Sequence, residues 1–185
     1  MKLLKSIDLL NDQQAALRLN LAAIPLMLVF YFAFNALTNA ISVDGPERNR
    51  SLAGFLLEFL VFLFLIVLHE LIHGLFFKVF APNQKVKFGF KNGLAYATAP
   101  GSIYSKGTFA WISLAPFVLI TLGLFGAYLA SGLSRGAFVL IAAIHAGACV
   151  GDFYWIYLLL KAPAKTLVKD TEVGLNLYKK ETTSE

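Results

Sequence analysis

Two histidines and a glutamate raise the first chemical question. In Leu65-Ile66-Val67-Leu68-His69-Glu70-Leu71-Ile72-His73-Gly74, the pattern H-E-x-x-H lies inside a mostly apolar run from Leu52 to Phe77. On a helix, residues four apart share one face a turn apart, so His69 and His73 can grip a single Zn²⁺. Glu70 projects beside them, where a carboxylate can take a proton from a metal-bound water. Such a short pattern also arises by chance, and the bland alternative is a pair of satisfied core histidines with Glu70 facing a lumen. Against it, a carboxylate at mid-bilayer costs ~2.5–3.5 kcal/mol on insertion scales, so ionisable groups in lipid tend to mark working sites.

A catalytic zinc takes three protein ligands and keeps a fourth position for water. No Glu or His follows the motif at metzincin spacing, so the third ligand must come from another element. Asp152 is the first candidate, because its carboxylate is otherwise an uncompensated anion in an apolar run. His145 is the rival; its other readings are an outer hydrogen-bond donor, an oxyanion stabiliser or a satisfied core histidine. Cys149, one turn from Asp152, either lines the site or is a small buried residue. Bound zinc would offset Asp152 and part of Glu70, and Glu70 would return its proton to the leaving amine. Water has to reach this depth, which calls for a polar cleft opening to the cytoplasm.

These groups need a membrane-embedded scaffold, and the composition supplies one. Of 185 residues, 58% are hydrophobic and 15% charged, with a mean hydropathy of +0.68. Those proportions exclude an ordinary soluble domain. The net charge of +5 is dispersed among connections, which argues against nucleic acid. A single cysteine excludes an internal disulfide. The sequence predicts an all-α membrane protein with four spans, residues 19–40, 52–77, 109–130 and 136–160, in one polytopic domain over 1–163. Pro25 and Pro116 fall inside the first and third spans, the latter as a kink, and Glu58 sits at the outer interface. The first span reads as an uncleaved helix.

Outside the spans, Met1 to Gln14 reads as a surface helix or a solvated leader, and Asp44-Gly45-Pro46 as a turn. Residues 85–99 alternate about Asn92-Gly93 and predict a small β-hairpin between the second and third spans. Residues 164–185 read as a frayed or disordered cytoplasmic tail. Lys and Arg number three up to Arg18, two in the first connection, five around the hairpin, one in the Ser131–Arg135 loop and five from Lys161 onward. By the positive-inside rule both termini and the hairpin are cytoplasmic. His69 and Asp152 each lie about two-thirds along a span of the same direction; at ~1.5 Å per residue they share one level, with His145 ~10 Å further out.

Leu68-His69-Glu70-Leu71-Ile72-His73-Gly74, the hairpin from Lys85 to Ala99, Ala115-Pro116 and Gly151-Asp152 together resemble the site-2 type of membrane-embedded zinc metalloprotease. The chain is most similar to a group of small bacterial membrane zincin peptidases. Resemblance implies His69, His73 and Asp152 as zinc ligands, Glu70 as general acid/base, and location in the bacterial cell membrane. In site-2 proteases the aspartate sits in an Asp-Gly context, whereas here Gly151 precedes it and Phe153 follows.

The function expected is therefore a zinc-dependent intramembrane or membrane-proximal endopeptidase. Its partners would be the lipid bilayer and a protein substrate, a transmembrane segment unwound or held extended, with the hairpin offering an edge for strand addition. Two alternatives belong to other classes. One is a catalytically silent zinc-site regulator of membrane partners, the other a proton or metal relay subunit of a transporter using His69, Glu70, His73, His145 and Asp152.

Overall fold

A computed structural model describes residues 1–9, 11–41, 43, 45–48 and 51–179. In chain order it contains β1 (Lys2–Asp8), α1 (Gln13–Ala40), α2 (Leu52–Phe80), β2 (Lys87–Lys91), β3 (Leu94–Thr98), β4 (Ile103–Ser105), α3 (Lys106–Leu129), α4 (Arg135–Ala148), α5 (Val150–Lys161), β5 (Thr166–Asp170) and β6 (Gly174–Lys179). α1, α2 and α3 are long and apolar enough to cross a membrane, and α4 with α5 makes a fourth if the bent pair counts as one span. The most apolar windows of α1 and α2 are only 11% buried within the chain, so their side chains need another apolar medium around them.

Contacts divide the chain into two compact units, and the division passes through α1, α2 and α3. The first comprises Met1–Leu19, Glu70–Pro116 and Gly151–Glu185. It holds a four-stranded antiparallel sheet of order β1-β6-β5-β4 and a separate two-stranded sheet, β2-β3. Its core gathers Phe77, Phe109 and Ile112 from the helices against Tyr104, Val168, Leu175 and Leu177 from the larger sheet. The rings of Phe77, Tyr104 and Phe109 meet at centroid distances of 5.9, 6.5 and 6.0 Å. Such tilted aromatic contacts add to what area burial alone provides.

The second unit comprises Asn20–His69 and Phe117–Val150. Phe30, Phe34, Phe117, Phe125, Tyr128 and Phe138 form its aromatic ladder, with Tyr128 and Phe138 stacked at 5.4 Å. α4 comes so close to α1 that a Cβ on Gly147 would lie 2.9 Å from the Met27 Cβ and 3.0 Å from the Ala23 carbonyl oxygen. Ser134 caps α4 by accepting the Ala137 N–H. Glu58, expected at an interface, is held bidentately by Arg48 at 2.8 and 2.6 Å.

The hairpin is where the sequence places it. Asn92 and Gly93 both have positive φ, 52° and 80°, as a two-residue primed turn requires. An all-α class is corrected by the larger sheet. The leader is neither a surface helix nor solvated coil over its first residues: Lys2–Asp8 pairs antiparallel with Gly174–Lys179. The tail likewise contributes β5 and β6, because Val168, Leu175 and Leu177 bury their side chains in the core above. Residues 180–185, Leu10 of the leader and Asp44 of the expected turn lie outside the described residues. The expected fourth helix is broken at Cys149, where α4 and α5 meet at 52°. A straight rise from His145 to Asp152 therefore does not apply.

One buried carboxylate ties the two sheets together. Asp170, at the end of β5, accepts the Thr98 hydroxyl (2.9 Å) and the Ala99 N–H (2.5 Å). Burial raises its pKa from 3.8 to about 6, despite those hydrogen bonds, which favour the anion. The folded state thus holds the proton more tightly than the unfolded state. The sign follows: stability is greatest at low pH and falls as pH rises from about 4 to 6, by an amount on the order of 2–3 kcal/mol. Asp170→Asn can keep the cluster, because Thr98 also reaches the Thr171 carbonyl (2.8 Å) and can accept from an amide. We expect the thermal midpoint of wild type in detergent to drop across that window and that of Asp170→Asn to stay flat. Parallel profiles would contradict this.

Candidate metal centre

α2 positions the motif, and α3 positions the motif's second histidine. His73 is buried, and its Nδ1 lies 3.0 Å from the carbonyl oxygen of Ile112 on α3. That carbonyl is available for a local reason. Pro116 stands four residues further along α3 and has no N–H to donate back to Ile112. Pro116, expected as a kink, also frees the acceptor that holds His73. The signal was present, since a proline inside a helix always orphans the carbonyl four residues before it.

A carbonyl only accepts, so Nδ1 carries the proton and donates. Nε2 of His73 then faces Oδ1 of Asp152 at 3.1 Å. With a neutral ring and an ionised carboxylate these are two acceptors pointing at each other, an arrangement that calls for a proton or a metal ion between them. Asp152 is itself only 9% exposed and lies in the first turn of α5. The partial positive charge of a helix N-terminus favours a carboxylate there. The break at Cys149 is what creates that terminus in the middle of an apolar run.

His69 lies one turn before His73. The two units divide between His69 and Glu70, but α2 runs unbroken through the division, so the helix itself fixes one histidine relative to the other. His73 and Asp152, both in the first unit, bring an imidazole nitrogen and a carboxylate oxygen together, and the turn of α2 sets His69 on the same helix face as His73. Atoms bound tetrahedrally at ~2.05 Å from one ion sit about 3.3 Å apart, close to the His73–Asp152 spacing. The donor set, two imidazoles and a carboxylate, matches the chemistry of a catalytic zinc. Glu70, half-buried on the same helix, is near enough to His73 to act on it electrostatically.

His145 is not part of that group. It is buried, and its Nε2 lies 3.3 Å from Nδ1 of His69, with Cys149 Sγ 3.8 Å from both nitrogens. A Cβ on Gly74 would lie 2.5 Å from Cζ of Phe88 and 3.5 Å from Cγ1 of Val86, so the glycine after His73 lets the hairpin seat directly on the motif helix.

A family model described as "putative zincin peptidase" matches residues 62–167. The chain belongs to that family. No curated protein and no solved structure matches it. The matched stretch runs from the middle of α2 into β5 and takes in His69, Glu70, His73, Pro116, His145, Cys149 and Asp152. Zincin membership carries zinc-dependent peptidase chemistry, and the donor set around His73 fits that metal.

Restoring the missing N–H tests the role of Pro116. In Pro116→Ala the new amide competes with His73 for the Ile112 carbonyl and removes a strained residue from a helix. We expect the thermal midpoint to rise or hold, while zinc affinity falls by roughly 10-fold, the lower end for loss of a ligand's supporting hydrogen bond. Competition with a fluorescent chelator reads the affinity. An unchanged affinity would remove Pro116 from the site.

Proposed function

We propose that this protein is a zinc-dependent endopeptidase that cleaves a membrane-embedded or membrane-proximal segment of another protein. The observation that carries the proposal is the acceptor-to-acceptor approach of His73 Nε2 and Asp152 Oδ1, beside a histidine one turn away and a glutamate between. In this reading His69, His73 and Asp152 hold the metal. Zinc bound there supplies Lewis acidity toward the scissile carbonyl and makes a water acidic near neutral pH. Glu70 takes the proton of the attacking water and hands it to the departing amine. Ile112 fixes His73 in the tautomer that leaves Nε2 to the metal, and the first turn of α5 sustains the charge of Asp152.

A peptide bond in a helical substrate is already hydrogen-bonded within its own backbone, so the substrate must be extended at the site. The β2–β3 pair is two strands wide, which leaves strand edges for an added strand, and it rests on Gly74 beside His73. That placement supports a role in presenting substrate.

The larger sheet supports four crossings. β1 precedes α1, β4 separates α2 from α3, and β5 and β6 follow α5, yet all four strands pair in one sheet. A chain that leaves one side of a bilayer and returns to it crosses an even number of times. α1 with α2 makes one excursion and α3 with the bent pair another, so the bent pair counts as a single span. The sheet, both termini and the hairpin then share one side, and thirteen of sixteen Lys and Arg make that side the cytoplasm; the sign holds without the tail, at eight of eleven.

The test is cleavage of a reporter membrane segment co-reconstituted with purified protein. Glu70→Gln should cut it 10²–10⁴-fold more slowly while retaining its zinc. Asp152→Asn should lose activity together with the zinc held at His73. If neither wild type nor Glu70→Gln cleaves any membrane segment while both bind zinc, the protein is a silent zinc-site regulator instead.

A further inference from the structure

Two donors that the zinc reading leaves over, His145 and Cys149, gather beside Nδ1 of His69. His69 Nδ1, His145 Nε2 and Cys149 Sγ lie 3.3, 3.8 and 3.8 Å apart, with His145 and Cys149 buried and His69 half-buried. All three belong to the second unit. Ligands around one tetrahedral zinc, at ~2.05 Å for nitrogen and ~2.3 Å for sulfur, sit about 3.3 Å apart for two nitrogens and about 3.6 Å for nitrogen and sulfur. The observed triangle has those proportions. A plain histidine–histidine hydrogen bond explains its short side only; it gives no reason for a sulfur equidistant from both rings.

Local structure accounts for the triangle. His145 and Cys149 are four residues apart on α4, hence on one face. Cys149 is the C-cap residue, where the backbone turns at φ −73° and ψ 11° into the break before α5. Gly147 lets this end of α4 sit against α1 without a side chain between them. The close approach of the two rings, 5.5 Å between centroids and 66° between planes, brings their nitrogens rather than their faces together.

We propose that His69 Nδ1, His145 Nε2 and Cys149 Sγ form a second metal site, one that takes a thiophilic d¹⁰ cation such as Zn²⁺ or Cd²⁺. Two imidazoles and a thiolate are a softer set than two imidazoles and a carboxylate, so this site discriminates in favour of Cd²⁺ more strongly than the first. The step balances simply. The Cys149 thiol now donates to the His145 carbonyl (3.2 Å); binding replaces the S–H bond with a sulfur–metal bond and releases that proton to solvent, while the proton held between the His69 and His145 rings moves to the other nitrogen of its own ring. The site stands on its own donors and does not require that zinc at His73 and Asp152 be catalytic. The two share His69, through which an ion at one draws on the basicity offered to the other.

The chain has one cysteine, so any thiolate–metal signal reports this position alone. Full-length protein in detergent, stripped of metal, is titrated with Cd²⁺ while sulfur-to-cadmium charge-transfer absorption is followed in the near ultraviolet. Wild type should give a saturable band. Cys149→Ser should lose the band, His145→Gln should weaken its apparent affinity at least ~10-fold, and Asp152→Asn should keep it. A wild type without the band overturns the proposal, and this arm needs no variant to fold. A band indifferent to His145→Gln overturns it as a lone thiol picking up metal. A band lost with Asp152→Asn overturns it as one site with five donors. The catalytic reading fails differently, through reporter cleavage that Asp152→Asn leaves unchanged.

Discussion

A backbone carbonyl with no helical partner orients the reactive part of this molecule. Pro116 withholds an N–H from Ile112; Ile112 accepts from Nδ1 of His73; the far side of the ring is thereby committed as an acceptor toward Asp152. Each link is an ordinary rule of hydrogen bonding, but their order matters. Were the carbonyl satisfied within α3, the imidazole could rotate or change tautomer, and the 3.1 Å approach to a carboxylate would lose its meaning. In an apolar setting the unmet carbonyl would itself be costly. The proline and the histidine thus each resolve a difficulty that the other creates.

Helix interruption does similar work where α4 gives way to α5. Continuous α-helix from Arg135 to Lys161 would place Asp152 in the interior of a rod, with no helix terminus near its charge. The break at Cys149 supplies a terminus, and it turns Cys149 toward its neighbour four residues back. Both irregularities, the proline in α3 and the break before α5, lie where the titratable residues gather. Irregular backbone in such helices is tolerated where side chains or a polar cavity take up the released groups, and here side chains do so.

What could be read from sequence divides along physical lines. The motif helix and the hairpin are specified locally, by H-E-x-x-H in a long apolar run and by Asn92-Gly93 between alternating residues. The larger sheet is not. Leu3, Leu4 and Ile7 carry a spacing that suits a helix, and only pairing with Leu175 and Leu177, from the other end of the chain, makes a strand of that segment. β5 and β6 did leave a signal, alternating burial through Val168, Leu175 and Leu177, but in runs of five and six residues interrupted by charge. The break at Cys149 was flanked by Gly147 and Gly151, yet an unbroken apolar run outweighs two glycines when spans are counted by hydropathy. At the site, the partnership of His73 with Asp152 was legible from charge in lipid. The partner of His145 was not, because depth along a straight helix misplaces a residue beyond a bend.

The pairing of β1 with β6 has a consequence for how the molecule is made. β1 is synthesised before every helix, and the strand it pairs with is synthesised after all of them. Until then its backbone amides and carbonyls have no ladder to join, so the sheet that anchors this end of the structure closes last. Contacts so distant along the chain are slow to form. The nascent protein therefore carries an open strand edge while its helices form, the period in which an extended segment of another chain can compete for it.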